Sequence, residues 1–96
     1  MDSNIEIIRY ILVTQFLPPF RGMVTSIDVG YWKMHENINH EKIYHINIKL
    51  ISGHIIPDVI NSVKYWLGMV GISYIDCYVE VSRDGELCHI QFPDNW

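Results

Sequence analysis

Residues 75–92 of the chain, IDCYVEVSRDGELCHIQF, contain the strongest β-hairpin signal in the sequence. Apolar and polar residues alternate on both sides of Asp84-Gly85, a dipeptide that favours the tight turn of a β-hairpin. A two-residue turn at this dipeptide predicts four pairs: Arg83 with Glu86, Val81 with Cys88, Val79 with Ile90, and Cys77 with Phe92. Every apolar residue then lies opposite another apolar residue, so turn chemistry and periodicity agree on one register.

A second pair of strands is predicted earlier in the chain. The period of two recurs from Val24 to Lys33 and from Lys42 to Ile51, and a polar turn region separates the two runs. His35 and His40 lie in that turn region. Their spacing matches no common zinc-binding pair, so we interpret the region as a solvated loop and predict no metal site.

Helical periodicity appears in two further segments. Residues 4–17 carry Ile5, Ile8, Leu12 and Phe16 at helical spacing, and Pro18-Pro19 ends the pattern. The second segment begins near Pro57, a residue suited to the first turn of a helix. Its apolar positions are Ile56, Val59, Ile60, Val63 and Leu67, and we expect Gly68 to end it.

The predicted order is therefore αββαββ, which favours an α+β two-layer sandwich. Its four-stranded, mostly antiparallel sheet would carry both helices on one face. The 96 residues are too few for two independent cores, so residues 1–96 form one domain. Residues 8–12 and 63–67 have similar sequences. Two explanations of this similarity stay open: chance, or a duplication that produced tandem αββ halves spanning 1–52 and 53–96.

Composition and charge narrow the classes of function. The chain is 49% hydrophobic and 19% charged, which excludes a disordered protein. The net charge of −4 resides in residues 57–96 and argues against nucleic acid as a partner. Cys77 and Cys88 would lie roughly 13 Å apart, so we expect free thiols. With no secretory signal and no membrane-spanning run, we predict a cytoplasmic protein without cofactors.

The sheet face turned away from the helices is the predicted binding surface. Its aromatic, acidic and amide side chains are typical of protein interfaces, although a solvated sheet face would also tolerate them. The candidate partner-binding residues are Asp28, Trp32, His45, Asn47, Tyr74, Asp76, Tyr78, Glu80, His89 and Gln91.

The leading hypothesis is a small acidic inhibitor that binds a protein partner. An immunity protein or antitoxin would fit, since its acidic side chains can occupy the active site of a basic, nuclease-like toxin. The alternative is a structural or adaptor module that forms a homodimer through the same face. A third hypothesis is a small hydrolase that uses Glu80 and His89 as an acid–base pair. Such cross-strand pairs are usually structural, so we predict no enzyme.

Overall fold

The computed structural model describes residues 3–33, 42–51 and 57–93. Its helices and strands are α1 (Ser3–Ile11), β1 (Val24–Lys33), β2 (Lys42–Leu50), α2 (Pro57–Met69), β3 (Tyr78–Val81) and β4 (Leu87–Pro93). This order confirms the predicted αββαββ arrangement. Within the described ranges, no helix has both the length and the apolarity needed to cross a membrane. The predicted turn with His35 and His40 lies outside the described residues.

The four strands form one antiparallel sheet in the order β1-β2-β4-β3. Each hairpin contributes one inner and one outer strand, and the hairpins meet where β2 pairs with β4. The sheet is thus arranged symmetrically about its centre. Duplication of αββ halves would produce such an arrangement, but it stays a prediction.

The β3–β4 hairpin has the predicted register, with Val79 opposite Ile90 and Val81 opposite Cys88. Its turn is wider than the expected two-residue loop, because the last bonded rung joins the Ser82 N–H to the Leu87 carbonyl at 2.9 Å. Residues 83–86 therefore form a four-residue loop between Ser82 and Leu87. Asp84 stabilises this loop, because its Oδ1 accepts from the Ser82 hydroxyl at 2.6 Å and from the Glu86 N–H at 2.9 Å.

Both helices cover one face of the sheet, as the sequence predicts. Ile8, Leu12 and Phe16 are fully buried and meet α2 through Val59, Val63 and Leu67. The sheet supplies Val29, Tyr44, Ile46, Ile48, Leu50, Cys88, Ile90 and Phe92 to the same core. Three apolar strand residues are less enclosed than these: Ile27 and Val79 are half-buried, and Val81 is exposed. They lie on the outer strands, which have a strand neighbour on one side only.

The first helical segment extends as far as the sequence predicts but changes its hydrogen-bonding pattern. After α1, residues Leu12–Phe16 form a π-helical turn, in which the Leu17 N–H donates to the Leu12 carbonyl at 2.8 Å. Pro18–Phe20 then form a single 3-10 turn. The proline pair therefore ends the helical segment at the predicted place, since proline provides no N–H to continue the pattern.

The end of α2 differs from the sequence prediction. Gly68 lies inside the helix, and the chain reverses at Gly71, which has a φ of 93°. The Ile72 N–H donates to the Leu67 carbonyl at 3.0 Å, which is the long bond of a Schellman motif. Ile72 and Leu67 are both buried, so the apolar contact that accompanies this motif anchors the turn in the core. The prediction that Gly68 ends α2 is wrong, because the residue with positive φ that reverses the chain lies three positions later, at Gly71.

Candidate binding face of the sheet

The sheet face opposite the helices is called the open face, because no described segment packs over it. The register places its side chains in two rows that cross all four strands. The first row is Asp28, Asn47, His89 and Glu80. The second row is Gly30, His45, Gln91 and Tyr78, and Trp32 lies beyond it on β1. Eight of the ten predicted site residues therefore share this face.

Three rings form a cluster at the centre of the open face. The Trp32 ring stacks on His45 with centroids 4.3 Å apart, and the two histidine rings are 6.1 Å apart. Trp32 also approaches His89 at 5.9 Å. The indole stays 49% exposed, so it combines a fixed position with a large accessible surface. Such a side chain can anchor a partner with little loss of conformational entropy.

Gly30 makes this cluster possible. It lies directly opposite His45 across the β1–β2 pair, and a Cβ atom on Gly30 would approach Cε1 and Nε2 of His45 to 2.9 Å. The imidazole therefore occupies space that any other residue at position 30 would fill. Gly30 is not among the site residues predicted from the sequence. A glycine inside a predicted strand is, however, a recognised signal of close approach by another group.

His89 is held by two carboxamides on the open face. Its Nδ1 lies 2.7 Å from Asn47 Oδ1 on the neighbouring strand, and its Nε2 lies 3.1 Å from Gln91 Oε1 on its own strand. A neutral imidazole donates through one nitrogen and accepts through the other, so one of the two amides then presents its NH₂ group. This network fixes the His89 ring and uses both of its nitrogens.

His45 lies in a drier environment. Its Nδ1 is buried without a hydrogen-bond partner among the described residues. Desolvation by burial lowers the pKa of His45 below the ordinary value of 6.5, the neighbouring His89 lowers it further, and Asp28 opposes the shift. The neutral form of His45 is therefore favoured at pH 7, so this residue adds no positive charge to the ring cluster.

Glu80 and His89 are opposite each other, as the predicted register requires. Their side chains bond elsewhere, however: Glu80 Oε2 accepts from the Tyr78 hydroxyl at 2.9 Å, whereas His89 bonds the two amides. This bond to Glu80, together with the negative charge of the carboxylate, raises the pKa of Tyr78. The two side chains therefore form no hydrogen bond with each other, and the acid–base pair considered from the sequence stays a prediction.

Tyr74 and Asp76 are not on a strand, contrary to the sequence prediction. They belong to a 3-10 turn, Tyr74–Asp76, and β3 begins only at Tyr78. The turn forms because the Ser73 side chain accepts from the Ile75 N–H at 3.3 Å, a local bond that competes with strand pairing. Tyr74 lies beside α2, whereas Asp76 stays near Tyr78 and Gln91 at one end of the sheet.

The remaining charges on the open face are sparse. Asp28 and Glu80 occupy opposite outer strands, and Lys49 is the exposed cation on β2. Cys77 and Cys88 are free, as predicted, and Cys88 is buried on the helix side. Within residues 3–33, 42–51 and 57–93, no three His, Cys, Asp or Glu side chains come together as metal ligands.

These elements define a small α+β two-layer sandwich with an aromatic and polar sheet face. Searches with the sequence and the structure found no matching family model, curated protein or solved structure.

Proposed function

We propose that the protein is a binding module that docks a basic partner protein on its open face. The observation that carries the proposal is the Trp32–His45–His89 ring cluster. It presents a half-exposed indole in a fixed position on a face that no described segment covers. Tryptophan and tyrosine at the centre of a surface patch are the residues that most often dominate binding energy.

The charges favour a basic partner. Asp28 and Glu80 flank the ring cluster on the two outer strands, and the whole chain has a net charge of −4. Complementary charge speeds association and suppresses wrong partners more than it adds affinity. A partner whose basic surface is its own active site, such as a nuclease toxin, would be blocked by docking. In that case the module acts as an immunity protein or antitoxin.

The test asks whether a protein encoded by a reading frame next to the one for this chain binds it, and the proposal expects that protein to be basic. Titration calorimetry should give a saturable complex, and Trp32→Ala should weaken it at least about tenfold, as expected for an anchoring aromatic. Tyr65→Ala is the matched control, because Tyr65 is an aromatic of comparable exposure on α2, 58% against 49% for Trp32. Equal losses from the two variants, or no loss from Trp32→Ala, would assign binding to another surface.

Self-association through the open face is the second candidate. The exposed indole of Trp32 and ring of Tyr78 favour it, since both would be buried in a two-fold dimer. Each copy has a net charge of −4, so electrostatic repulsion between the copies opposes dimerisation at low ionic strength. Light scattering over a range of protein and salt concentrations separates the candidates. A dimer that Trp32→Ala dissociates would support self-association, and a monomer throughout would support an external partner.

A further inference from the structure

A groove on the helix layer lies away from the open face. It is a shallow depression of about 310 Å³, open to solvent, and is lined by Asn61, Lys64, Tyr65 and Tyr74. Three of these residues are on α2 at positions i, i+3 and i+4, so they share one face of the helix. The fourth comes from the 3-10 turn that follows α2. We propose that this groove binds a small ligand consisting of one aromatic ring with a carboxylate or phosphate group.

The aromatic walls of the groove are held by local structure. The Tyr65 ring packs edge-on against Trp66, with centroids 4.9 Å apart. Tyr74 is carried back alongside α2 by the Gly71 reversal and by the Ser73 cap of its turn. Both tyrosines are nevertheless more than half exposed, at 58% and 61%. Two rings that are positioned but accessible offer stacking faces to a planar ligand.

The charge in the groove selects an anion. Among the four lining residues, Lys64 carries the one formal charge, and its ammonium lies 5.8 Å from the centroid of the Tyr74 ring. Within the described residues no carboxylate forms a salt bridge with it. The Asn61 carboxamide lies one turn away on the same helix face and can donate a hydrogen bond to the same anionic group. The ammonium and the amide thus orient the charged end, while the tyrosines contact the ring.

The size of the groove is sufficient for the proposed ligand. Its volume of about 310 Å³ lies at the lower end of the range for small-molecule sites, roughly 300–1,000 Å³, and is enough for one aromatic ring with its anionic group. The groove is also separate from the open face, since its residues belong to α2 and the following turn. The inference therefore stands independently of the proposed protein partner.

The test is an NMR titration of the full chain with benzoate and phenyl phosphate. Benzamide serves as the uncharged match to benzoate, and acetate as an anion without a ring. We expect saturable shifts at the four lining residues with dissociation constants on the order of millimolar, as small ligands of this size allow. Benzoate should bind about three- to fivefold more tightly than benzamide, the factor an exposed charge pair contributes. Tighter binding of phenyl phosphate than of benzoate would identify the anionic group of the ligand as a phosphate ester. Tighter binding of benzoate would identify it as a carboxylate.

Two variants make the result decisive. Lys64→Met should abolish the preference for benzoate over benzamide, whereas Lys49→Met removes a lysine from the open face and should leave it unchanged. Tyr74→Ala should weaken both ligands, because it removes a ring wall. Absence of saturable shifts in the wild type, equal binding of benzoate and benzamide, or an unchanged preference in Lys64→Met would each overturn the proposal.

Discussion

The imidazole of His45 occupies the space above Gly30, its direct neighbour across the β1–β2 pair. A Cβ atom at position 30 would lie 2.9 Å from two atoms of that ring. Trp32 stacks on His45. Because Gly30 leaves room for the His45 ring, it also determines where the indole lies. A residue without a side chain thereby shapes the main aromatic feature of the open face.

Gly30→Ala should lower the free energy of unfolding by about 1–2 kcal/mol, because overpacking forces the His45 ring from its position. Urea unfolding measures the change, and the indole resonance of Trp32 in NMR spectra should shift with it. In the His45→Ala background the sign should reverse. Alanine is then the better strand residue, by about 0.5–1 kcal/mol over glycine. A loss of the same size in both backgrounds would show that the ring contact is not the cause.

The stability of the protein should fall as the pH drops below about 6.5. Burial lowers the pKa of His45 in the folded state, so the unfolded chain binds a proton more readily at this residue. The stability associated with neutral His45 is present above pH 6.5 and is lost between that pH and the lowered folded pKa. Urea unfolding at a series of pH values should show this slope, and His45→Gln should reduce it. His89→Gln should reduce the slope less than His45→Gln, because His89 is the smaller of the two causes that lower this pKa. An unchanged slope in His45→Gln would contradict the assignment.

The two cysteines should differ sharply towards thiol reagents. Burial raises the pKa of Cys88 to about 11, and the side chain is inaccessible to solvent. Burial and the charge of Asp76 also raise the pKa of Cys77, but this residue is only half-buried. At pH 8, a chromogenic disulfide reagent should modify Cys77 first and reach Cys88 only on unfolding. Cys77→Ser should remove the fast phase; a fast phase that persisted would show that Cys88 becomes accessible without unfolding.

Alanine substitutions of two glycines near the end of α2 should have opposite effects. Gly71→Ala should destabilise the protein by about 1 kcal/mol, because a φ of 93° is unfavourable for any residue with a Cβ atom. Gly68→Ala should stabilise it by about 0.5–1 kcal/mol, since position 68 is helical and has open space around it. Thermal unfolding of the two variants checks both signs. Two changes of the same sign would contradict the assignment of Gly71 as the residue that ends the helix.

Periodicity and turn chemistry were enough to predict most of the fold. β1 has the predicted bounds, Val24–Lys33, because apolar and polar residues alternate along the whole segment. The β3–β4 register follows from Asp84-Gly85 and the matching apolar positions. The sequence pattern was misleading at Tyr74, since apparent alternation continued into a segment where Ser73 caps a 3-10 turn. Local hydrogen bonds of that kind leave little trace in a pattern of polar and apolar residues.

The order of elements, the pairing within each hairpin and the side of the sheet that each strand residue faces were determined by the sequence itself. These properties depend on residues close together in the chain. The tertiary structure alone decided that β2 lies beside β4, which brings Asn47 to within 2.7 Å of His89 and places His45 near the same ring. Contacts between distant segments depend on how the hairpins and helices pack around one core, and no local pattern encodes that packing.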